Sequence, residues 1–134
     1  MKVMELFDLK DKVALITGGG RGLGKQIAEA YAEMGCQLAL CSRKKETCEE
    51  TAEWLRREYG VKTSSYAVDV TNESMVEDVV SQVLYDFGKI DILVNNSGAT
   101  WGAPVEEMPL EAWKKVLNVN VTGTFLMSRA AGRH

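Results

Sequence analysis

The stretch Val13-Ala14-Leu15-Ile16-Thr17-Gly18-Gly19-Gly20-Arg21-Gly22-Leu23-Gly24 decides how this chain is read. Its first half is an unbroken apolar run, the composition of a strand buried on both faces of a parallel sheet. Its second half is glycine-rich and leads directly into a segment with helical periodicity. A strand that ends in glycines and turns at once into a helix offers an anion free backbone N–H groups and the positive end of the helix dipole. The stretch is therefore a candidate phosphate cradle.

Working outward, Leu23, Ile27, Ala30, Tyr31 and Met34 recur at helical spacing, and Gly35 stops the run. A second apolar run, 37–41, predicts a second strand. Cys48, Ala52, Leu55 and Tyr59 mark a helix over 44–59, with Gly60 closing it. A third strand is expected over 63–68. Thr71 or Asn72 then caps a helix whose buried stripe is Val76, Val79, Val80, Val83 and Phe87. A fourth strand over 90–94 runs into Asn95-Asn96-Ser97-Gly98. Strict alternation of strand and helix with short connections implies an α/β fold, a parallel sheet with helices on both faces. The last segment is ambiguous by pattern: residues 116–123 alternate like a strand and are poor in helix formers. The alternating unit predicts a helix there, over 109–131.

Bulk properties narrow the class. The 134 residues make one domain, 46% hydrophobic and 26% charged, as in ordinary soluble proteins. A net charge of −3 argues against non-specific nucleic-acid binding. No apolar run approaches the roughly 18–20 residues of a membrane span, and the N-terminus lacks the features of a signal peptide. Three cysteines, an odd number without metal-ligand spacing, are expected to be small buried hydrophobes. A reducing, cytoplasmic setting is expected, with no metal site.

Thr17, Gly18, Gly22 and Gly24 spell T-G-x-x-x-G-x-G, which differs from the spacing G-x-G-x-x-G. With Asp69 after the third strand and Asn-Asn-Ser-Gly after the fourth, the pattern resembles the short-chain dehydrogenase/reductase family from about Leu9 onward. Ser97 departs from the family's usual alanine. The resemblance implies a Rossmann, doubly wound parallel sheet of order 3-2-1-4, of which this chain carries the β1–β4 half without the later strands. It also implies a dinucleotide held by the loop residues Thr17, Gly18, Gly20, Arg21, Gly22, Leu23 and Gly24. In that frame Gly18 makes the tight turn, Gly22 lets backbone approach the pyrophosphate, and Gly24 seats the helix on the sheet. Asp69 would accept from the adenine amino group with Val70 beside the ring. Asn95 would steady the sheet, and Asn96, Ser97 and Gly98 would line the nicotinamide ribose side.

The end of the second strand bears on which dinucleotide. An acidic residue there would bind the ribose 2′-hydroxyl and repel a 2′-phosphate. This chain has Ser42-Arg43-Lys44-Lys45 instead. Arg21 falls where NADP-dependent members of the family often place a second basic residue. Cations at a helix start oppose the dipole, which favours a role in holding an anion. NADP(H) is expected over NAD(H).

The family's chemistry, interconversion of a carbonyl and an alcohol by hydride transfer, uses an Asn, a Ser and a Tyr-x-x-x-Lys pair. Asn120, in Asn118-Val119-Asn120-Val121, matches the asparagine and is the one catalytic residue the resemblance assigns. The sole Tyr-x-x-x-Lys, Tyr85 to Lys89, is rejected because it ends the helix before the fourth strand, at the wrong end of the sheet. The catalytic Ser and the true pair are absent. Two readings follow: the cofactor half of a longer reductase, which the apolar edge of strand four favours, or a stand-alone nucleotide-binding module without turnover. The loop 98–104 resembles members acting on 3-oxoacyl thioesters, and Leu6-Phe7-Asp8-Leu9 resembles gluconate 5-dehydrogenases. Trp101 is either a pocket wall or a locally packed aromatic. A small-molecule carbonyl or alcohol substrate is implied, with no nucleic-acid or membrane partner. A homo-oligomer, tetramer or dimer, is implied for the full-length form, using Leu110, Trp113 and Leu117.

Overall fold

Four parallel strands carry the architecture, in the order β3-β2-β1-β4. The computed structural model describes residues 1–134. After a short exposed helix α1 (Val3–Leu6), which the periodicity did not anticipate, the order is β1 (Val13–Thr17), α2 (Gly22–Glu33), β2 (Gln37–Ser42) and α3 (Lys45–Tyr59). There follow β3 (Thr63–Ala67), α4 (Glu73–Phe87), β4 (Ile92–Val94), a 3₁₀ turn, α5 (Leu110–Leu117) and α6 (Thr124–Gly132). No helix is long and apolar enough to cross a membrane.

Every residue of β1 is buried, because β2 and β4 flank it and helices cover both faces. Its alternation divides the core in two. Ala14 and Ile16 join Ala28, Ala32, Leu38, Leu40, Cys48, Ala52 and Leu55 beneath α2 and α3. Leu15 joins Tyr66, Val68, the four valines of α4 and Leu126 and Met127 of α6 on the other face. This is the doubly wound sheet that alternation predicts. Asn72 supplies the α4 cap, its side chain accepting from the Met75 N–H at 3.0 Å. The three cysteines are free and buried, and burial pushes the Cys36 thiol up to about 11.

Three expectations are corrected. The face that α2 buries is Gly24, Ala28 and Ala32, while Leu23 is 65% exposed and Ala30 also faces solvent. A helix seated this close to a sheet must present small side chains, so the larger Ile27, Tyr31 and Met34 are only half-buried at its margin. β4 is shorter than the apolar run suggests. Asp91 instead joins β1 by exchanging bonds with Val13, its N–H donating to the Val13 carbonyl and its carboxylate accepting the Val13 N–H. Finally, the helix expected over 109–131 is interrupted by a π-helical turn, Asn118–Gly123. β-Branched and asparagine residues weaken the α ladder there, and contacts described below hold the wider turn.

Candidate functional site

The carboxyl ends of the four strands open on one cleft of about 910 Å³. Of the expected binding residues, Gly18, Gly20, Arg21, Gly22, Ser42, Arg43, Asp69, Val70, Asn96, Ser97 and Gly98 line it. Thr17, Leu23, Gly24 and Asn120 do not, and each has a different position.

Thr17 lies behind the cleft wall. Its Oγ1 accepts the N–H groups of Asn96 and Ser97, both at 3.0 Å, and so ties the loop after β4 to the end of β1. Thr17→Val would leave two backbone donors without their partner, and about 2 kcal/mol of stability is expected to go. A urea midpoint unchanged from wild type would contradict this role, and Thr17→Ser should retain it.

Gly18 turns the chain with φ +66°, its N–H donating to the Cys41 carbonyl at 2.8 Å and its carbonyl accepting from the Asn96 side chain at 3.2 Å. Gly24 stands directly behind it: a Cβ there would lie 2.0 Å from the Gly18 carbonyl oxygen. Gly24 is thus a packing position. Gly22, with φ +55° and nothing within 4 Å of a built Cβ, faces open space at the mouth of the loop. Leu23 points to solvent because it follows the turn on the outer side of α2.

Asn95 and Asn96 have separate functions, since successive residues leaving a strand face opposite ways. The tie to the glycine loop comes from Asn96. Asn95, expected to steady the sheet, donates to Ser128 Oγ at 3.0 Å and so ties the chain just after β4 to α6.

Asp69 lines the cleft but is partly engaged, its Oδ1 accepting the Thr71 N–H at 2.9 Å and the Thr71 hydroxyl at 2.7 Å. These bonds, with a smaller contribution from Arg43, hold its carboxyl below the usual aspartate value. Its contribution to stability is therefore fully present above the unfolded value, about 3.9. It is lost as pH falls through the folded value. Asp69→Asn is expected to lose less stability than wild type between pH 7 and pH 3. Parallel urea midpoints at the two pH values check this; equal losses would contradict it.

Asn120 sits in the π turn. Its Oδ1 accepts the Ala99 N–H at 2.8 Å and its Nδ2 donates to the Ala99 carbonyl at 2.9 Å, a two-pronged clamp on the loop after β4. Thr124 Oγ1 donates to the Asn120 carbonyl at 2.9 Å, one turn back along the same rod. Gly123 touches Val70 so closely that a Cβ would lie 2.6 Å from Val70 Cγ2. The π turn is therefore fitted between the loops that follow β3 and β4.

Lys44, Thr47, Lys115, Asn118 and Val119 also line the cleft, although the sequence reading did not single them out as site residues. The signal for the last three was their spacing, which places positions 115, 118 and 119 on one helical face. Four cations, Arg21, Arg43, Lys44 and Lys115, line the cleft against a single carboxylate, Asp69, in a chain of net charge −3. The charge is thus concentrated for an anion. Tyr85 and Lys89 lie elsewhere: Tyr85 is 90% exposed, and Lys89 pairs at 3.0 Å with Asp91, which bonds the first residue of β1.

A glycine turn between β1 and α2, opening on a cationic cleft at the carboxyl ends of a 3-2-1-4 sheet, defines a nucleotide-binding α/β protein. The chain belongs to the short chain dehydrogenase family, whose model matches residues 12–134. It is 42% identical over 136 residues to an NADP-dependent mannitol dehydrogenase of Hypocrea jecorina, covering 99% of this chain and 51% of that protein. A short-chain type dehydrogenase/reductase from Mycobacterium marinum superposes with a TM-score of 0.95 at 39% identity, over 99% of this chain and 53% of the other. An NAD+-bound xylitol dehydrogenase gives a TM-score of 0.90 at 40% identity, over 93% and 48%. The chain spans about half the length of the curated relatives it matches.

Proposed function

We propose that this chain forms the cofactor-binding part, residues 1–134, of an NADP(H)-dependent oxidoreductase that interconverts a carbonyl and a secondary alcohol. The observation that carries the reading is the cationic corner of the cleft. Ser42 ends β2 and Arg43 follows it, where a 2′-hydroxyl reader would be acidic, and Arg21 and Lys44 line the same cleft. The cradle suits a dinucleotide: an open glycine turn at Gly22 faces the mouth, and a tightly seated α2 N-terminus lies behind it. Gly18, Gly20 and Gly22 would hold the pyrophosphate, Asp69 and Val70 the adenine, and Asn96, Ser97 and Gly98 the nicotinamide ribose. The nicotinamide would supply the hydride chemistry. This chain's own part is to bind and orient, with Asn120 as the candidate catalytic residue; its side-chain clamp on Ala99 supports a role in placing the loop after β4.

Polyols and their ketoses are the substrate class favoured, on the names of the mannitol and xylitol relatives. A 3-oxoacyl thioester is the alternative substrate class, on the name of the 3-oxoacyl-[acyl-carrier-protein] reductase relative of Pseudomonas aeruginosa. Exposed Leu110, Trp113 and Leu117 on one helical face support a homo-oligomer, and the free cysteines support a reducing, cytoplasmic setting. A second reading, nucleotide binding without turnover, is favoured by one observation: the chain's Tyr-x-x-x-Lys lies at the far end of the sheet from the cleft. Titrating the chain with NADPH and NADH by nicotinamide fluorescence tests the cofactor reading. Tighter NADPH binding is expected, and tighter NADH binding would overturn it.

A further inference from the structure

The first turns of α3 hold both arginine-bearing segments of the cleft from behind. Thr51 is 4% exposed, and its Oγ1 donates to the Gly20 carbonyl at 2.7 Å. Three residues earlier, on the same helical face, the Cys48 thiol donates to Ser42 Oγ at 3.3 Å. Ser42 Oγ donates in turn to the Lys44 carbonyl at 2.8 Å. The space between α3 and the glycine loop is full, since a Cβ on Gly20 would lie 2.8 Å from both the Cys48 nitrogen and the Thr47 carbonyl carbon. Gly20 therefore cannot move toward the helix, and the Thr51 hydroxyl resists movement away from it.

The consequence falls on the next residue. The Gly20 carbonyl belongs to the peptide that carries the Arg21 nitrogen, so anchoring it orients the plane from which Arg21 departs. Arg21 is extended there, φ −158° and ψ 170°, and its own carbonyl opens the α2 ladder by accepting the Lys25 N–H at 3.2 Å. Arg43 follows Ser42 directly. Neither arginine makes an ion pair in the structure, so their register is set chiefly by the backbone from which they depart. Two guanidiniums act on one dianion only if their backbones keep a common frame, because ordering them on binding would cost affinity.

We propose that Thr51 is a positioning residue for cofactor discrimination: its hydroxyl, beside the Cys48 thiol, locks the Gly20–Arg21 and Ser42–Arg43 segments into one frame for a 2′-phosphate. The proposal rests on the NADP(H) reading above. Thr51→Val keeps the shape and removes the donor, and Thr51→Ser keeps the donor. Each is titrated with NADPH and NADH beside wild type, with thermal unfolding recorded for all. Loss of one such bond is expected to reduce the NADPH-over-NADH preference of Thr51→Val roughly tenfold. Thr51→Ser should return it to within about twofold of wild type, a rescue that a purely structural role in α3 would not tie to the 2′-phosphate. Should the valine variant not fold, Thr51→Ala takes its place with the same expectation. A folded Val or Ala variant with the wild-type preference overturns the proposal, as does a serine variant that fails to restore it. Wild type without an NADPH preference overturns the cofactor reading itself, and the proposal with it.

Discussion

Gly24→Ala is expected to destabilise the chain by about 3 kcal/mol and to abolish dinucleotide binding, despite being a helix-favouring substitution. In an exposed helix the change would gain about 1 kcal/mol. Here the new Cβ would stand 2.0 Å from the Gly18 carbonyl oxygen, 2.8 Å from the Gly18 carbonyl carbon and 2.7 Å from the Asn96 side-chain nitrogen. Both neighbours are fixed: Gly18 by its bond to the Cys41 carbonyl, Asn96 by its bonds to Thr17 and Gly18. Backbone cannot step aside as a side-chain tip can, so α2 must lift from the sheet and the glycine turn must open. Urea denaturation measures the loss, and a midpoint within error of wild type would refute the packing role. Gly22→Ala is the informative contrast. It meets no neighbour, and its φ of +55° confines the cost to backbone strain of about 1–2 kcal/mol.

The second large effect is expected at Arg43. Replacing it by aspartate removes a charge-assisted donor and sets a carboxylate where the 2′-phosphate is proposed to lie. Together these should weaken NADPH binding roughly a hundredfold. NADH should change by no more than about threefold, since a carboxylate after β2 can accept from the ribose 2′-hydroxyl. Because Arg43 is exposed, the wild-type preference should also decline with added salt. Titration of both cofactors at two ionic strengths checks this. Equal losses for NADPH and NADH would mean that Arg43 acts on the shared part of the dinucleotide.

Much of the fold was legible because short-range chemistry dictates it. The run 13–17 could only be a doubly buried strand, and it is the most buried element of the sheet. Asn72 caps α4 with its own side chain, a contact three residues long. The glycine loop, Ser42-Arg43, Asp69-Val70 and Asn96-Ser97-Gly98 all reach the cleft because a parallel α/β sheet delivers every strand's carboxyl end to the same place.

What was not legible depends on distance between helices and sheet. Periodicity gave α2 its large residues as the buried face, yet the close approach at Gly18 selects Gly24, Ala28 and Ala32. Two adjacent asparagines part ways after β4, Asn96 bonding the Gly18 carbonyl and Asn95 bonding Ser128 of α6, a division that only the packed structure decides. Spacing puts Lys115, Asn118 and Val119 on one helical face, but only the packed fold sets that face against the cleft.

The glycine turn itself divides the two kinds of information. By itself the sequence determined the alternation of elements, the parallel sheet and the family, since apolar runs, glycines and caps act through neighbours a few residues away. The tertiary structure alone decided how that turn is held. Gly24 is closed against Gly18, Thr51 anchors Gly20 from α3, and Asn120 clamps Ala99 from a π turn. Each of these joins segments distant in the chain, and a hydrogen bond or a steric contact exists only once packing has brought its two sides together.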